Sequence, residues 1–294
     1  MCIRDRINDF AELCKLRISV LVLVTVALSA VTAAWGRPDI AIVCHTLIGT
    51  TLVAFSASAW NQWLERDTDA LMDRTSNRPL PASRLSGWEV ALFATALVCI
   101  GVGYLFLLVN PTCAAFGLAT WVSYVIIYTP MKRVSTWNTF VGAIAGALPV
   151  LIGWSAVGDL REDSVLAAAF FLTVFLWQFP HFMAIAWIYR EQYARAGLQM
   201  STVTDPTGLR AGIQAILGAL ALLLVTLIPV IVTPQTWSLA SWSIVAVFLL
   251  GAMQLGFAVA FLRRRTMLTA KRLLKASIVY LPITFLLLTL YTTL

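Results

Sequence analysis

Apolar runs long enough to cross a bilayer recur along the whole of this chain. Nine of them stand out, at roughly 18–36, 40–60, 88–109, 113–129, 137–155, 164–187, 211–233, 238–262 and 273–293. Breakers fall between them: Gly36-Arg37-Pro38, Pro79 with Pro81, Asn110-Pro111, Thr129-Pro130, Asp205-Pro206 and Pro234. Of 294 residues, 60% are hydrophobic and 12% charged, so a soluble domain of this size could not hide its apolar surface. Lipid offers the backbone no hydrogen-bond partners, so the runs must be helical. The chain is predicted to be an all-α, polytopic membrane protein forming a single transmembrane domain. The opening "MCIRDR" is polar and unlike the rest of the chain; it resembles a translated adapter scar, and residues 1–9 are expected to lie outside the fold.

Charge distribution supports the nine spans. With the N-terminus inside, all but Arg37 and Arg161 of the 21 Lys and Arg fall on the inner side. The net charge of +7 therefore reads as loop charge at the membrane surface, and no nucleic-acid partner is expected. The cysteines form no CxxC pair and no metal-binding spacing.

The densest charge lies in "NQWLERDTDALMDRTSNRPLP", residues 61–81. Asn61, Glu65, Asp69 and Asp73 succeed one another at four-residue steps, which on a helix drift only about 40° per step and share one face. Hard oxygen ligands in that number suit Mg²⁺, which is commonly bound together with a substrate's phosphates. Arg66, Arg74 and Arg78 supply guanidinium forks for phosphate oxygens. The alternative is a solvated loop whose acids pair with those same arginines. Acids at the edge of an apolar span favour the functional reading, a diphosphate site whose substrate carries a hydrophobic tail.

Two further segments fall on the same side. Residues 188–210 supply Arg190, Glu191, Gln192, Tyr193 and Arg195, either as a second wall of the site or as a solvated loop. "YTPMKR" supplies Lys132 and Arg133, either as phosphate contacts or as topogenic charge. His181, after Pro180, is either a packing residue or a contact to a polar or metal-bearing substrate.

At these residues the sequence resembles the UbiA-type intramembrane prenyltransferase superfamily: an Asn, an acid four residues on and an Asp four further precede "RTSNRPLP". "YTPMKR", "GALPVLIGW" and "WQFPHFMAIAW" are similar to its heme-farnesylating branch. The resemblance implies nine helices around a central cavity, with Asn61, Glu65 and Asp69 as the catalytic Mg²⁺-diphosphate ligands. Asp73 and Glu191 are further candidate ligands. Diphosphate would be held by Arg66, Arg74, Arg78, Lys132, Arg133, Arg190 and Arg195, while His181 and Tyr193 are candidate acceptor contacts. The implied substrates are farnesyl diphosphate and heme b, the cofactor Mg²⁺, and the product heme O, handed to a heme A synthase or a terminal oxidase. A bacterial inner membrane with the site on its cytoplasmic side is the implied location. The family's second motif carries an Asp where this chain has Gln192, which leaves Glu191 to compensate, and the usual Lys-Pro-Arg before the first span is Lys15-Leu16-Arg17 here. A prenyltransferase with another acceptor is the alternative. A transporter is more distant, because nearly every acid lies at a span end or in a loop.

Overall fold

A computed structural model describes residues 3–294, all of whose regular structure is helical. In chain order the helices are α1 (Ile3–Leu13), α2 (Leu16–Ala33), α3 (Ile40–Asp69), α4 (Gly87–Leu108), α5 (Pro111–Trp121) and α6 (Thr129–Met131). A π-helical stretch, Val122–Tyr128, joins α5 to α6. Then come α7 (Asn138–Val157), α8 (Ser164–Ile188), α9 (Arg190–Arg195), α10 (Ser201–Thr204), α11 (Leu209–Val225), α12 (Ile228–Val232), α13 (Trp237–Arg264) and α14 (Met267–Thr293). Among the described residues nine segments are long and apolar enough to span a bilayer, α5–α6 and α11–α12 each counting as one.

Starts and stops obey local chemistry. Asp39 accepts from the Ala41 and Ile42 amides at the start of α3, and Ser86 with Glu89 forms a capping box on α4. Asn110 caps α5 and is followed by Pro111, whose missing N–H costs nothing in the first turn. Pro130 cannot donate to a preceding carbonyl, and the chain just before it widens into the π-helical turn.

Helices α2, α7, α8 and α14 pack in a closed ring of four. Helices α3 and α5 close against α2 and α7 on one side, with α4 packed on α3 and α5, and α11 and α13 close against α8 and α14 on the other. Small residues bring the ring together: a Cβ on Gly153 of α7 would stand 2.1 Å from the Val26 carbonyl oxygen of α2.

Two expectations differ from what is found. Helix α3 runs past the end expected near residue 60 to Asp69, so Asn61, Glu65 and Asp69 lie on its last turns, on the one helical face their spacing predicts. Residues 3–9, set aside on the sequence, begin α1, where Arg6 pairs with Glu89 and Asp9 with Arg84; residues 1 and 2 lie outside the described residues.

Candidate active site

Asn61, Glu65 and Asp69 are buried and line one cavity of about 400 Å³ at the end of the bundle where α3 and α8 finish and α2 and α7 begin. Helix α1 fixes one wall. Gln62 donates to the Leu13 carbonyl at 3.1 Å, and Lys15 comes next in a left-handed conformation (φ 47°) that breaks α1 from α2. The break aims the Lys15 ammonium at the cavity, where it donates to Asn61 Oδ1 at 2.8 Å.

Each oxygen-bearing side chain on the stripe has one cationic partner. Beside the Lys15 contact, Lys132 Nζ donates to Glu65 Oε1 at 2.7 Å and Arg78 Nη1 to Asp69 Oδ2 at 2.6 Å. Burial pushes the Lys15 ammonium down to about 7; Arg78 and Lys132 add to the shift, while Glu65 and Asp69 oppose it. Burial also acts to lower Lys132, but the Glu65 carboxylate outweighs it and holds the ammonium above its ordinary value.

The π-helical turn sets the sense of Asn61. Thr129 Oγ1 donates its single proton to the Tyr124 carbonyl at 2.8 Å, so toward Asn61 it can only accept, and Asn61 Nδ2 donates to it at 3.2 Å. The amide oxygen is thereby turned toward Lys15 and the cavity. Tyr124 and Tyr128 line the same cavity, with the Lys132 ammonium 4.5 Å from the Tyr128 ring centroid. Tyr193 lies opposite, its hydroxyl raised by burial against the counteracting Arg74. The same cavity also has apolar lining: Ile18, Phe182, Met183, Ile185 and Leu198.

The structure therefore gathers Asn61, Glu65, Asp69, Arg74, Arg78, Lys132 and Tyr193 at one cavity. It does not bring the other candidates there. Asp73 falls off the stripe because α3 ends at Asp69; its carboxylate pairs with Arg195 at 2.7 Å on the exposed surface. Glu191 is exposed and pairs with Arg190, so it does not stand in for the missing acid at Gln192, whose Oε1 is buried without a partner. Arg190 stacks on Trp187, Arg66 lies over Trp63, and Arg133 donates to the Leu64 carbonyl, all outside the cavity lining. His181 sits between α8 and α14, stacked on Trp177 and bonded to Ser277 Oγ at 2.9 Å. The loops around Asp73 and Tyr193 do meet: Arg74 lies over the Tyr189 ring, and Met72 packs with Tyr193. Lys15 is the residue sequence reasoning missed. Its signal was a Lys directly ahead of the first apolar run, which reads as topogenic charge.

The donor set is compatible with Mg²⁺ held jointly with a substrate. Among the described residues no three His, Cys, Asp or Glu side chains form a metal cluster. Two carboxylates and an amide oxygen leave the remaining positions to phosphate oxygens and water, which is how Mg²⁺ is usually bound.

Comparisons with known proteins agree with this architecture. The UbiA prenyltransferase family matches residues 22–290. The chain is 39% identical over 292 residues to a protoheme IX farnesyltransferase of Solibacter usitatus, covering 95% of this chain and 96% of that one. It is 41% identical over 289 residues to a protein of the same name from Rhodopirellula baltica, covering 96% and 99%. In fold it is similar to a digeranylgeranylglyceryl phosphate synthase structure, with TM-score 0.78, 13% identity and coverage of 98% and 99%. A UbiA homolog from Archaeoglobus fulgidus bound to GPP and Mg²⁺ superposes with TM-score 0.66 at 15% identity, covering 95% and 99%. With a matched segment that takes in nearly every span and relatives aligned end to end, the chain belongs to the UbiA prenyltransferase family.

Proposed function

We propose that this integral membrane protein transfers the farnesyl group of farnesyl diphosphate to a vinyl group of heme b, giving heme O and diphosphate. One observation carries the reading: a single cavity is lined both by oxygen-bearing and cationic side chains and by apolar ones, matching a diphosphate with a prenyl tail. Its full-length relatives named protoheme IX farnesyltransferase support heme as the acceptor.

In this reading Asn61, Glu65 and Asp69 would hold Mg²⁺, which when bound would supply positive charge to the leaving diphosphate. Lys15, Arg74, Arg78 and Lys132 bind the diphosphate oxygens and stabilise the charge that develops there. As the C1–O bond breaks, its electron pair leaves with the diphosphate, and the faces of Tyr124 and Tyr128 stabilise the allylic cation. C1 bonds to the terminal vinyl carbon, and water adds its hydroxyl to the other vinyl carbon with loss of a proton. The apolar walls keep water from the cation before the new bond forms. Tyr193, which lines the same cavity, would contact the acceptor. A single transmembrane domain in a bacterial inner membrane, with the site facing the cytoplasm, fits the one-sided Lys and Arg, and the product would pass to a heme A synthase or a terminal oxidase.

The test is purified protein in lipid nanodiscs with heme b, farnesyl diphosphate and Mg²⁺, read by mass spectrometry. Heme bearing a hydroxyethylfarnesyl group is expected, together with loss of product under EDTA and its return with added Mg²⁺. Unmodified heme from folded protein, with prenylation of a small aromatic acid instead, would assign the other acceptor class.

A further inference from the structure

The cations in most of the loops are engaged: Arg78, Arg84, Lys132 and Arg195 all pair with carboxylates. The α13–α14 hairpin is different. Arg263, Arg264, Arg265, Lys271, Arg272 and Lys275 crowd into thirteen residues with no acid among them, and among the described residues none has an ion pair or an aromatic partner. Topogenic bias accounts for positive charge on this side of the bilayer. It does not account for a cavity. Yet a second one, about 390 Å³, opens at this hairpin and shares no residue with the first.

Its two halves differ in chemistry. Gly256, Phe257, Val259 and Ala260 of α13 form an apolar floor toward the span, and Arg263, Arg264 and Arg272 stand at the mouth. Gly256 keeps the floor open, since a Cβ there would meet nothing within 4 Å. The flanking Met253, Met267 and Leu268 are exposed, so the cavity faces the hydrocarbon edge of the bilayer. Guanidinium groups bind phosphate bidentately, and each basic side chain near a membrane surface adds about 1 kcal/mol of attraction for anionic lipid.

We propose that this hairpin is a binding site for an anionic phospholipid of the surrounding membrane. The lipid phosphate lies among Arg263, Arg264 and Arg272, and an acyl chain runs along Gly256 to Ala260. The site is independent of the prenyl-transfer reading and would stand if the acceptor proved to be something other than heme. It lies at the same end of the bundle as the first cavity, because Met183 and Trp187 in the final turns of α8 pack with Phe261, Ala270 and Leu273 of the hairpin, and Met183 lines that cavity.

The experiment uses the full chain in phosphatidylcholine nanodiscs doped with phosphatidylglycerol, with native mass spectrometry counting the lipids that stay bound. Wild type is expected to retain one phosphatidylglycerol and no phosphatidylcholine. Arg272→Gln should weaken retention about fivefold, the equivalent of one charge. Gly256→Leu fills the floor without altering charge or topology and should abolish retention with the fold intact by circular dichroism. Equal retention by wild type and both variants would overturn the proposal. So would displacement of the lipid from wild type by farnesyl diphosphate, which would make the cavity a substrate site.

Discussion

At the scale of single residues, the site depends on which atoms face the cavity. Asp69 is buried and meets Arg78, so Asp69→Asn keeps the shape and removes the charge. Turnover is expected to fall by about 10² or more, read as kcat for heme farnesylation. Lys15→Met should cost a similar factor while leaving the protein folded, since the Lys15 amine serves the cavity and the Gln62–Leu13 bond holds the backbone. Thr129→Val frees the Asn61 amide to turn its nitrogen inward. It should raise the Mg²⁺ concentration needed for half-maximal activity several-fold, whereas Thr129→Ser should not; Mn²⁺ binding monitored by electron paramagnetic resonance checks the same point without turnover. The shared face of Asn61, Glu65 and Asp69 was legible in the sequence because residues spaced by four fall on one side of any helix. Asp73 obeyed the same spacing and still left the stripe, because spacing cannot say where a helix stops. Lys15 was hidden for the opposite reason: its direction comes from a left-handed backbone turn that nothing in Cys14-Lys15-Leu16 announces.

At the scale of elements, the nine spans and their breakers were readable, since hydrophobic runs and prolines act locally. Helix α3 was underestimated. Its apolar run ends near Trp60, but Gln62 and Trp63 continue its contacts, bonding to the Leu13 and Gly87 carbonyls. Those anchors keep the polar last turns helical and hold the stripe rigid. Helix α7 meets the α2 backbone closely at Gly153. Gly153→Val would force its side chain against the Val26 carbonyl, and a loss of about 1–3 kcal/mol is expected, measurable as a lower unfolding temperature in detergent. His181 belongs to this scale as well: with Trp177 and Ser277 it ties α8 to α14, a role that a lone His on an apolar run leaves open.

At the scale of the whole molecule, chain segments distant in sequence meet at one end of the bundle. Residues 15, 61–78, 124–139 and 182–200 share a cavity because successive spans cross in opposite directions, which returns alternate loops to the same face. The two polar loops touch through Arg74, Tyr189 and Tyr193, as a shared site requires. The three cation–oxygen pairs on the α3 stripe make loading this cavity an exchange of partners. A metal ion brought to Asn61, Glu65 and Asp69 would compete with Lys15, Lys132 and Arg78 for the same side chains, and cations so displaced would need an anion. A buried charge stripped of its partner costs several kcal/mol, so neither ion is well received alone. Calorimetry should find Mg²⁺ binding at least about tenfold weaker without a non-hydrolysable prenyl diphosphate than with it. The empty protein would then act as a coincidence detector, indifferent to cellular magnesium until an allylic diphosphate arrives.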